Sequence, residues 1–161
     1  MTRARLLFLG AVALLVMFAL GASLARASAW EAFVERCVDP MSDFQHADTS
    51  DLVTYTATGW AADLLDVVGE TGSESFALPG ENAVLNISED RCAISVAAVS
   101  PALRHEVTRW RDQAVAEGLF EQAEGRWLST EWREPKLAIY VTWIPETSHA
   151  VFLAEDTDLE S

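Results

Sequence analysis

Basic side chains are scarce in this chain. Eleven Lys and Arg stand against 25 Asp and Glu, a formal net charge of −14, and Lys136 is the only lysine. Nucleic-acid affinity comes from Lys and Arg that neutralise phosphates, so this composition argues strongly against such a function. It argues equally against docking on anionic lipid. Cysteine is scarcer still, with Cys37 and Cys92 alone and no C-x-x-C pair. A redox-active dithiol is therefore disfavoured, because that chemistry needs closely spaced, accessible thiols. No glycine-rich phosphate loop is present, since Gly69-x-x-Gly72 has only the look of a loose turn. The G-x-S-x-G elbow of serine hydrolases is missing. The D-x-[DN]-x-[DN]-G calcium loop is missing too. His105-Glu106 is followed by Arg109 where a zinc helix needs histidine. No cofactor is implied.

What is present begins at the N-terminus. Arg3 and Arg5 precede an uncharged run from Leu6 to Leu24, which ends among Ala25, Ala27, Ser28 and Ala29. A basic start, an apolar middle and a small-x-small end form the secretory signal pattern. Residues 1–29 therefore read as a signal peptide. Cleavage is expected after Ala29, within Ala27-Ser-Ala29, or after Ala25, within Ser23-Leu-Ala25. The competing reading is an uncleaved anchor, as the run approaches the roughly 20 residues that cross a bilayer. Either way the basic end stays inside, and the rest of the chain lies outside the cytosol, in the periplasm or beyond.

Loss of residues 1–29 removes Arg3, Arg5 and Arg26 and no acid. Eight basic side chains then face 25 acidic ones, a net charge of −17 over 132 residues. That length suggests a single domain, read here as 30–155, with an acidic flexible tail at 156–161. The charge suits a protein that repels its own copies. No membrane span is expected in the mature form.

Periodicity supplies the elements. Trp30, Phe33, Val34, Cys37 and Val38 share one helical face. Asp39-Pro40 is expected to end that helix, because the residue before proline avoids the helical region. Ser28 and Glu31 have capping-box spacing, in tension with a cut after Ala29. Residues 41–51 read as an acidic loop and 52–58 as a strand, while 61–68 is ambiguous. Residues 74–99 read as two or three antiparallel strands. Ser100-Pro101 opens a long helix with its stripe at Leu103, Val107, Trp110 and Ala114, and Gly118 stops it. Strands are expected at 126–132, 137–144 and 149–154. The composite is α+β: an antiparallel sheet of about five to seven strands with the long helix and the short N-terminal helix on one face.

Cys37 and Cys92 both fall on apolar faces. In an oxidising compartment they are expected to form a disulfide. Closing a loop of this length is worth about 4 kcal/mol by the loop-entropy relation.

The candidate sites are few. Asp43, His46 and Asp48 are weak candidate metal ligands. Trp127, Trp132 and Arg133 are candidates for a ligand or protein interface, since exposed Trp beside Arg is a common anchor. The leading expectation is an exported, non-enzymatic domain of the cell envelope that binds another protein. The alternatives are a small metal-dependent hydrolase centred on residues 43–48, and a ligand-binding module using Trp127 and Trp132.

Overall fold

The structure, a computed structural model, describes residues 28–68, 74–80, 82–131 and 134–157. One eight-stranded antiparallel sheet organises these residues, in the order β1-β2-β3-β4-β8-β7-β6-β5. The strands are β1 (Val53–Thr54), β2 (Glu74–Ala77), β3 (Ala83–Ile87), β4 (Arg91–Val96), β5 (Phe120–Ala123), β6 (Arg126–Ser129), β7 (Lys136–Ile144) and β8 (His149–Thr157). The α+β class is as expected. The strand number is higher than five to seven.

Three helical elements accompany the sheet. Helix α1 is continuous through three pieces: Ala29–Phe33, a wide π-helical stretch Val34–Val38, and Asp39–Ser42. Helix α2 is Trp60–Val68 and helix α3 is Pro101–Ala116. The chain builds β1 to β4 as a meander. Helix α3 then carries it from the middle of the sheet to the far edge, and β5 to β8 return so that β8 pairs with β4.

Side chains on one face of the sheet meet α1 and α3. A cross-strand row runs Phe76, Leu85, Ile94, Phe152, Val141 through paired positions. A parallel row runs Ile87, Cys92, Ala154, Ile139, Trp127. Trp30 of α1 lies over this floor, with ring centroids 5.1 Å from Phe33, 5.2 Å from Trp110 and 5.1 Å from Phe152. Trp30, Phe33 and Phe152 are fully buried. On the other face, Leu64 of α2 covers Ala93 and Val151. Beside them Ser75, Asn86 and Ser95 are buried, with Ser75 Oγ donating to Asn86 Oδ1 at 2.9 Å.

Several local expectations are corrected. Helix α1 does not stop at Asp39-Pro40. In the π-helical stretch the Asp39 N–H reaches back five residues to the Val34 carbonyl. Pro40 then follows directly behind the π-helical stretch, inside the continuous helix. Only Val53–Thr54 of residues 52–58 forms a strand. It is an edge strand with Val53 74% exposed, while Leu52 beside it is partly buried against the core. Strand β8 continues through Thr157, so residues 155–157 are paired rather than frayed, and Arg91 Nε lies 3.2 Å from Glu155 Oε2. The segment after α3 holds two strands, β5 and β6, joined by Glu124-Gly125 at φ of 49° and 84°. Those angles suit the two-residue turn whose twist matches a hairpin.

Cys37 and Cys92 are joined by a disulfide, with a Cα–Cα distance of 5.4 Å across 55 residues of chain. Both are buried. Among the described residues no helix is long and apolar enough to cross a membrane. Residues 6–24 lie outside them.

Candidate functional site

Helix α3 ends in a way that opens a groove. Ser100 caps its start by accepting the Leu103 N–H at 3.1 Å. At the other end the Gly118 N–H donates to Val115 O at 3.0 Å, and the Leu119 N–H to Ala114 O at 2.9 Å. This pair of bonds is the Schellman ending, with Gly118 in the left-handed region at φ 72°. The reversal leaves Leu119 48% exposed. The next residue, Phe120, turns inward and packs on Trp110 at 5.6 Å.

Between this corner and helix α1 lies a groove of about 260 Å³. Val34 and Val38 form the α1 wall, Trp110 and Ala114 the α3 wall, and Leu119 and Phe120 the end. Asp39, Glu117 and Glu131 stand on the same lining. Among the described residues none of these three carboxylates has a Lys or Arg partner. Glu117 accepts a hydrogen bond from Gln113 Nε2 at 2.9 Å. Partial burial, and then the neighbouring Asp43, hold the Asp39 carboxyl above the usual carboxylate range. A second cleft shares Val34, Trp110 and Gln113 with the first and adds Trp30, Glu106 and Arg109. The two clefts adjoin at the seam between α1 and α3.

The groove carries two side-chain hydroxyls, Ser42 and Ser129. Both are engaged with backbone: Ser42 Oγ donates to Val38 O at 2.8 Å, and Ser129 Oγ accepts from Leu137 N at 3.3 Å. The amine beside Ser129, Lys136 Nζ, donates to backbone as well, to Ser129 O at 3.0 Å and Glu131 O at 2.7 Å. Apolar walls with unpaired acids suit a partner group that is part apolar and part cationic.

The residues singled out from sequence are placed as follows. His46 is exposed and lines a different groove, of about 290 Å³, with Phe44, Glu89 and Asp156. Asp43 and Asp48 do not line it. Asp48 is used locally, accepting the Ser50 N–H at 2.9 Å, and that bond lowers its pKa. The loop is tied down by Arg36, which donates to Asp51 through two bonds of 3.0 and 2.8 Å and to Asp48 O at 2.8 Å. The Arg36 bond lowers the Asp51 pKa. No group of three metal-capable side chains occurs among the described residues. Trp127 is half-buried on the helix side of the sheet, opposite Ile139, and its buried Nε1 has no hydrogen-bond partner among the described residues. Trp132 and Arg133 lie outside the described residues.

The groove residues were not singled out from sequence. One signal pointed to them: the apolar pair Leu119-Phe120 directly behind the helix stop Gly118. Reading its meaning requires knowing that α1 lies opposite.

One further polar row crosses the other face, on four neighbouring strands. Arg91 pairs with Glu155, and Arg126 donates to Tyr140 Oη at 2.9 Å. Burial pushes the Tyr140 hydroxyl up, against the lowering effect of Arg126.

No protein-family model, curated protein or solved structure matches the chain.

Proposed function

We propose that this chain is an exported, non-enzymatic binding domain of the cell envelope that holds a partner protein in the α1–α3 groove. The partner is expected to present an apolar side chain flanked by Lys or Arg. The observation that carries the reading is the groove lining, where Leu119 is left exposed at the end of an apolar trough edged by Asp39, Glu117 and Glu131. An exposed apolar side chain beside a concave surface is a common mark of a binding site. The charge of the chain supports the same partner chemistry, because an acidic surface speeds encounter with a cationic one.

The export pattern and the disulfide support the location. A disulfide between buried cysteines persists where thiols are not kept reduced. An enzymatic reading has less support, because Asp43 and Asp48 do not line the groove that holds His46, and the Asp48 carboxylate is bonded locally to the Ser50 N–H.

A photo-crosslinking residue placed at position 119, and separately at the remote exposed position 53, tests this in cells. The expected result is one adduct from position 119 only, on a segment with Lys or Arg beside an apolar residue. That adduct should be lost with Glu117→Lys. Equal labelling from both positions, no adduct from 119, or an adduct on an acidic segment contradicts the proposal.

A further inference from the structure

We infer that the leader is removed on the N-terminal side of Ser28, so that the exported chain keeps Ser28 and Ala29. This rests on the export reading. The sequence offers small-x-small ends at Ser23-Leu-Ala25, Ala25-Arg-Ala27 and Ala27-Ser-Ala29, which place the cut before Arg26, Ser28 or Trp30. The fold separates the first two from the third.

Ser28 makes three bonds at the start of α1. Its Oγ accepts the Glu31 N–H at 3.0 Å. Its carbonyl accepts the Ala32 N–H at 2.8 Å. Its hydroxyl donates to Glu106 Oε1 of α3 at 2.7 Å. The first satisfies an orphan donor of the helix start, and the second is the first bond of the helix ladder. The third joins the two helices that form the groove. Ala29 is itself buried at 3% exposure.

A cut after Ala29 deletes all three bonds. It also turns the amide nitrogen of Trp30 into an ammonium. Trp30 is 2% exposed and enclosed by Phe33, Trp110 and Phe152. A positive charge at a helix start opposes the helix dipole, and removing it from water is costly. A chain that begins at Ser28 or Arg26 keeps the cap and carries its ammonium outside the helix. Signal cleavage precedes folding, so the difference is read in which product folds well.

The test is to export the full chain from a bacterial host and measure the intact mass and N-terminal residue of the product. A start at Arg26 or Ser28 is expected. A start at Trp30 overturns the inference and leaves the export reading standing. An intact chain from Met1 overturns the inference, and if it is recovered from the cytosol it overturns the export reading as well. In parallel, chains made to begin at Ser28 and at Trp30 are melted side by side. The Ser28 form is expected to melt several degrees higher, and equal melting temperatures overturn the structural argument.

Discussion

Single residues carry much of the specificity of this fold, and Ser28 shows it. Replacing a serine N-cap by alanine costs about 1 kcal/mol, so Ser28→Ala is expected to lower the melting temperature by a few degrees. Because its hydroxyl also reaches Glu106, a double-mutant cycle with Glu106→Ala should show coupling between the two sites. Purely additive effects would contradict the contact. Arg36 and Asp51 make a pH-dependent pair. The folded state holds Asp51 below its ordinary pKa, chiefly through the Arg36 bond, so it binds fewer protons than the unfolded chain. The stability it adds is therefore full above the ordinary carboxylate range and is lost as pH falls through the lowered value. Asp51→Asn should narrow the stability difference between neutral and acidic pH, measured by denaturant titration at each. Cys37 and Cys92 were legible at this scale, since each sits on an apolar face that its neighbours define. Glu106 as the partner of Ser28 was not legible, because 78 residues separate them and no local pattern links them.

Elements were legible where their signals were local. The cap Ser100, the first-turn Pro101 and the stop Gly118 bounded α3 closely, and of the stripe Leu103, Val107, Trp110, Ala114 all are buried but Trp110, which is half-buried. Helix α1 was misjudged at Pro40 because a π-helical stretch shifts the hydrogen-bond ladder, and nothing in the local residues signals that shift. Strand β1 was overestimated because alternation describes a face and not whether anything covers it. The groove depends on the junction of α3 and β5. Leu119→Lys is expected to weaken partner binding at least tenfold with a stability change within about 0.5 kcal/mol, since the side chain is exposed. Binding by titration and a parallel melt separate the two effects. Phe152→Ala, at the centre of the aromatic floor, is the opposite case. It is expected to cost about 3–5 kcal/mol in denaturant unfolding.

At the scale of the whole molecule, the order of the strands was beyond reach of the sequence. Pairing β4 with β8 joins residues about 60 positions apart, and side-chain alternation says which face a residue takes without naming its neighbour strand. The groove belongs to the same scale, being the space left between α1, α3 and the hairpin. The disulfide acts here as well, fixing α1 to the second cross-strand row of the sheet. Replacing both Cys37 and Cys92 by alanine is expected to remove about 4 kcal/mol from unfolding free energy. The most direct measurement is a thiol count on protein recovered from its native cell fraction with reductant excluded. Alkylation under denaturing conditions should label no cysteine before reduction and both after it, in material from outside the cytosol. Two labelled cysteines before reduction, in protein from the cytosolic fraction, would contradict the account.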